Sequence, residues 1–254
     1  MKEKPKSKKE KKRFIILGFA LAIAITAAIV FFQFSSFGYR MSVPFRSFIQ
    51  AAPHVYVSKN YSSDVEEALR TVGEARQRVL GFFKELRSVP TIILCDDSQT
   101  LRKLGGDHDT QTTAFLNVFS YIAISPDYLN VDIVAHEITH AEVHQRVFHG
   151  KIGYPALIPT WFDEGVALQN DYREGYGESA WEEVTHGGES AADLHDIDTA
   201  AKFYAGEPQE RLNRYILSKH ELGGWIERKG IDTLIRLLDD VNQGMDFNEL
   251  YFTD

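Results

Sequence analysis

Apolar positions recur along this chain in three rhythms: an unbroken run, a helical repeat and short β-rich stretches. The unbroken run covers residues 14–34, FIILGFALAIAITAAIVFFQF, 21 residues without a charge. About 20 apolar residues at 1.5 Å rise cross a hydrocarbon core of roughly 30 Å, so this run predicts a transmembrane anchor over 14–36. The helical repeat follows Ser62-Ser63-Asp64, which can cap a helix of about 22 residues carrying Val65, Leu69, Val72, Val79 and Phe83 at helical spacing. Residues 90–95 (PTIILC) read as a short buried strand. Residues 112–125 (TTAFLNVFSYIAIS) read as one long strand or a tight hairpin. Residues 98–104 form a brief helix stopped by Gly105-Gly106. Residues 130–148, 160–170 and 208–243 are helical, and 174–200 is an acidic, solvated loop. A few strands followed mostly by helix predicts an α+β class, with a small mixed sheet leading the helices and residues 40–254 forming one domain behind the anchor.

The charge is divided unevenly along the chain. Over 254 residues, 28 Lys+Arg face 36 Asp+Glu, a net of −8. Residues 1–13 hold eight of the basic residues and two acids, leaving 20 basic and 34 acidic groups for the rest. Basic residues ahead of an apolar span stay in the cytoplasm, so 1–13 is expected to be a cytoplasmic tail and 40–254 extracytoplasmic, periplasmic or extracellular. A cleaved signal peptide would share the basic start but has a shorter apolar region, of about 7–15 residues. The acidic remainder argues against a nucleic-acid partner. The single cysteine, Cys95, excludes an intrachain disulfide and sits in an apolar run where it serves as core.

The candidate chemistry is carried by His136-Glu137-Ile138-Thr139-His140, an H-E-x-x-H motif. On a helix, i and i+4 share one face, so both imidazoles reach one ion, and zinc suits neutral imidazole. Glu137 can take a proton from a water that the metal polarises. His144 lies on the same face but stands about 12 Å along the axis from His136, too far for both to bind one ion. The candidate third ligand is Glu164, in IPTWFDEGVA, where Thr160 and Asp163 form a T-x-x-D capping box for a second helix; the rival reading is a solvated glutamate at the helix start. Apolar neighbours Trp161, Phe162, Val166 and Ala167 imply burial, where an unpaired carboxylate is costly.

HEITH followed by IPTWFDEGVA resembles the gluzincin zinc metallopeptidases, and most closely the peptidase MA-like group, with a more distant likeness to the thermolysin and M1 aminopeptidase families. Tyr215-Ile216-Leu217-Ser218, Trp225–Gly230 and 234–238 extend the resemblance, which covers about residues 90–240. It implies a zincin-like metallopeptidase domain in which His136, His140 and Glu164 hold Zn2+ and Glu137 is the general base. Tyr215 is similar in position to a tyrosine that stabilises the oxyanion, with Tyr204 and His220 as competitors. Residues 114–125 would be the strand that pairs with extended substrate. Two positions depart from the pattern: Asp163 stands where an asparagine is usual, and Leu168 occupies the place of thermolysin's acidic partner to the metal ligands. No G-x-M-E-N motif precedes the metal helix, so the expected activity is a membrane-anchored endopeptidase acting on peptide or protein. The alternatives are an inactive zinc-binding or interaction domain and a zinc hydrolase of a non-peptide amide.

Overall fold

The computed structural model describes residues 8–106, 110–115, 119–147, 157–190 and 193–253, with side chains omitted at 8–15, 32–34, 110–115 and 119. His108, Phe148, His149 and the first seven residues of the basic tail lie outside the described residues. The first helix, α1, covers Lys8–Phe34, and α2 covers Ser36–Met41 behind the Ser35 cap, whose hydroxyl accepts the Gly38 N–H. Among the described residues no helix is long and apolar enough to cross a membrane. This finding overturns the expected anchor over 14–36, the single-pass membrane association, and the extracytoplasmic placement derived from them.

Strands and helices then interleave: β1 (Phe48–Ala52), β2 (Val55–Ser58), α3 (Val65–Phe83), β3 (Thr91–Leu94), α4 (Ser98–Lys103), β4 (Thr110–Phe115) and β5 (Phe119–Ile124). They form one five-stranded sheet in the order β1-β2-β3-β5-β4. The central pairs β2–β3 and β3–β5 are parallel, while the flanking pairs β1–β2 and β4–β5 are antiparallel. Parallel neighbours need a crossover, and α3 supplies the one between β2 and β3. The class is therefore mixed α/β. The expected α+β layout, a zincin-like domain behind a membrane helix, is corrected on both counts. Within the expected 112–125 stretch, β4 and β5 are two antiparallel strands, and the sheet edge is β4 alone, because β5 inserts between β3 and β4.

Both faces of β3 are covered, which is why its sequence is apolar without alternation. Ile92 and Leu94 join α3 and the later helices in the main core. Ile93 and Cys95 face a smaller core with Val43, Leu101, Leu104 and Ala123. Helix α3 starts where expected, with Asp64 accepting the Glu66 and Glu67 N–H groups, and ends at Lys84, whose φ is 65°.

The second half is helical: α5 (Val131–Arg146), α6 (Thr160–Leu168), α7 (Glu178–Thr185), α8 (Ala200–Phe203), α9 (Pro208–Lys229), α10 (Ile231–Asn242) and α11 (Phe247–Phe252). The expected helix over 208–243 is two helices broken at Gly230, whose φ of 85° favours glycine. The acidic 174–200 segment, expected as a solvated loop, carries α7 and leads into α8, and Ile197 and Phe203 are buried against the core.

Candidate metal centre

Helix α5 is set by Asn130, whose side chain accepts the Ile133 N–H at 3.0 Å. Its buried stripe of Val134, Ala135, Ile138 and Ala141 packs into the main core. That packing turns His136 and His140 together toward α6, their ring centroids 4.7 Å apart. Helix α6 presents Glu164 to both rings. Its cap is Pro159, without a side-chain bond, so the expected Thr160/Asp163 capping box does not form. Asp163 instead turns its carboxylate to α5.

Three donor atoms converge. His136 Nε2 and His140 Nε2 are 3.0 Å apart, and each lies 3.4 Å from Glu164 Oε2. Two tetrahedral ligands bound at about 2.05 Å stand roughly 3.3 Å apart, so this triangle fits one zinc-sized ion with a position left open. Glu164 Oε2 is buried and accepts no hydrogen bond from the protein. A buried carboxylate oxygen without a donor is costly, and a cation resolves that cost. The other oxygen, Oε1, accepts the Tyr204 hydroxyl.

Behind the ligands stand two aspartates. Asp163 Oδ1 is 3.1 Å from His140 Nδ1, and its Oδ2 is 2.9 Å from His144 Nε2. Asp171, fully buried, lies 3.7 Å from His136 Nδ1 and is held by Arg173, whose Nε bonds both of its oxygens at 2.9 and 3.0 Å. Such carboxylates fix the tautomer and aim of metal-binding imidazoles. Asp171 was not legible as a site residue. Its only signal was an acid seven positions after Glu164, followed by an arginine. Leu168, where thermolysin carries its acid, is core.

The charges reinforce one another. Burial alone would push Asp163 and Glu164 up, but the imidazoles reverse this. His140 and His144 hold Asp163 far below the usual carboxylate range, and His140 with His136 brings Glu164 to about 2. Burial opposes a charge on His140, yet Asp163 and Glu164 raise its pKa well above the ordinary value. In the absence of metal these charges favour the protonated imidazole of His140, so a cation would compete with a proton there.

A cavity of about 210 Å³ opens beside the ligands, lined by Tyr128, Ile133, His136, Glu137, Tyr176 and Tyr215, with Arg173 at its rim. Glu137 and Tyr215 thus reach the same cavity. Burial, then the charge of Glu164, pushes the Tyr215 hydroxyl up and keeps it protonated. Of the competitors, Tyr204 is committed to Glu164. His220 is elsewhere, bonded to Glu178 at 2.9 Å and stacked on Trp181 at 3.7 Å. Tyr215 is brought in by a close approach of α6 and α9, where a Cβ on Gly165 would lie 2.7 Å from the Ser218 carbonyl oxygen.

Arg146, in the last turn of α5, has a structural role. It pairs with Glu142 at 2.7 Å, both fully buried, while Glu142 also accepts the Arg87 and Ser88 N–H groups. Searched against models of known protein families, curated proteins and solved structures, the chain matches none of them.

Proposed function

We propose that this chain is a zinc-dependent endopeptidase, with the metal held by His136, His140 and Glu164 and with Glu137 as general base. The observation that carries the reading is the triangle of donor atoms, 3.0 to 3.4 Å on a side, beside a cavity that Glu137 lines. Zinc bound there supplies Lewis acidity, polarising a carbonyl and acidifying a water. Glu137 accepts the proton of the attacking water and passes it to the leaving amine. The protonated Tyr215 donates a hydrogen bond where negative charge develops on the substrate oxygen. Asp163, 3.1 Å from His140 Nδ1, and Asp171, 3.7 Å from His136 Nδ1, place negative charge behind the two imidazoles, which favours a proton on each Nδ1 and leaves each Nε2 free to face a metal. The resemblance of HEITH and DEG to the gluzincins supports the same roles.

Metal analysis and peptide-library cleavage on the purified chain test this. We expect about one zinc per chain, and Glu137→Gln lowering turnover by about 10²–10⁴-fold with zinc content unchanged. Stoichiometric zinc without cleavage of any peptide would point instead to a binding domain. Zinc affinity unchanged by Glu164→Ala would remove the third ligand.

A further inference from the structure

The sheet face opposite the metal helices holds a second polar cavity, built around a buried arginine. Arg40 on α2 is 7% exposed, and its Nε donates to the Leu104 carbonyl oxygen. No carboxylate among the described residues pairs with it. Among the described residues, its one hydrogen bond to the protein runs from Nε to that carbonyl oxygen. The cavity it lines measures about 200 Å³ and is walled by Gln50, His54, Tyr56, Thr91 and Tyr121. The strand register explains this wall, because Thr91 lies directly opposite Tyr121 across the β3–β5 pair.

The space for the guanidinium is made by Gly105. A Cβ there would sit 2.1 Å from Arg40 Nη2, and its φ of +89° favours glycine independently. Burial lowers the Arg40 pKa, and burial raises that of Tyr121 against the opposing pull of the Arg40 charge. A buried charge is normally paired, since stripping its water is costly. The wall offers donors: the Nη groups, the Gln50 amide and the Tyr56, Tyr121 and Thr91 hydroxyls. One positive charge ringed by neutral donors matches a single negative charge.

We propose that this cavity binds a monoanionic oxyanion group, a carboxylate or a phosphodiester, with Arg40 as its counter-charge and Tyr121 as a hydroxyl donor. The site stands apart from the metal centre, on the other face of the sheet, and does not depend on the proposed hydrolysis.

Thermal unfolding of the full chain in EDTA, at constant ionic strength, tests it with acetate, dimethyl phosphate and chloride as probes. Binding to the folded state raises Tm as the ligand saturates. We expect a saturating rise with acetate or with dimethyl phosphate beyond that with chloride, and the probe that acts identifies the ligand chemistry. Arg40→Met should weaken the response at least tenfold and Tyr121→Phe about threefold. A response that Arg40→Met leaves unchanged, or no rise beyond chloride with either probe, overturns the proposal. If Arg40→Met does not fold, Tyr121→Phe decides: an unweakened response overturns the site.

Discussion

At the scale of single residues, Asp163 joins two of the three histidines of α5. One carboxylate serves both His140 and His144, so its loss frees two imidazoles at once. Asp163→Ala should lower zinc affinity by about 10–100-fold, measured by competition with a chelating dye, and His144→Ala by less. The pH behaviour follows from the same charges. In the metal-free protein, Asp163 and Glu164 are depressed, so their contribution is present above their unfolded values near 4 and lost as pH falls. His140 is raised, so its contribution is present below about 6.5 and lost as pH rises through its folded value. Both act together between about pH 4.5 and 6.5. Zinc replaces the His140 proton, so the Tm gap between zinc-loaded and EDTA-treated protein should be wider at pH 9 than at pH 6. An equal gap would contradict a protonated His140. That His136 and His140 lie side by side was legible because helical spacing fixes which side chains share a face. Asp163 and Asp171 were not, because their partners depend on how α6 crosses α5, which no local period records.

At the scale of elements, the junction of α6 with α9 decides whether the site assembles. Gly165 leaves room for the Ser218 carbonyl, and the same helix contact sets Tyr215 beside Glu137. Gly165→Ala forces a shift against backbone and should cost about 1–3 kcal/mol in urea unfolding while lowering turnover through Tyr215. The Glu142–Arg146 pair ties α5 to the segment leading into β3. Glu142→Ala leaves a fully buried guanidinium uncompensated and should cost about 3–5 kcal/mol, whereas replacing both residues with apolar ones should cost less. Element starts were readable where a cap is local, as at Asp64 and Asn130. The Thr160/Asp163 cap misled because Asp163 found stronger partners across the helix interface.

At the scale of the whole molecule, the sheet divides two polar sites. Helices α5 and α6 with the candidate metal centre lie on one face, and Arg40 with its cavity on the other. The strand positions near 91–95 and 112–125 were visible in the β-rich sequence, but the order β1-β2-β3-β5-β4 was not. Placing β5 inside the sheet is a long-range pairing, and period-2 patterning says nothing about neighbours. The uncharged run at 14–34 misled as well: among the described residues no helix is long and apolar enough to cross a membrane.

Cys95, at the end of β3, is fully enclosed and hydrogen-bonds through its N–H to the Ile124 carbonyl oxygen at 2.9 Å. Burial pushes its thiol up to about 12. As the chain's one sulfhydryl, it is silent to alkylating reagents until the central strands part. The molecule thus contains its own clock for rare openings: the labelling rate of a single atom times the separation of β3 from β5. Zinc should slow that clock only if the two halves of the fold come apart together.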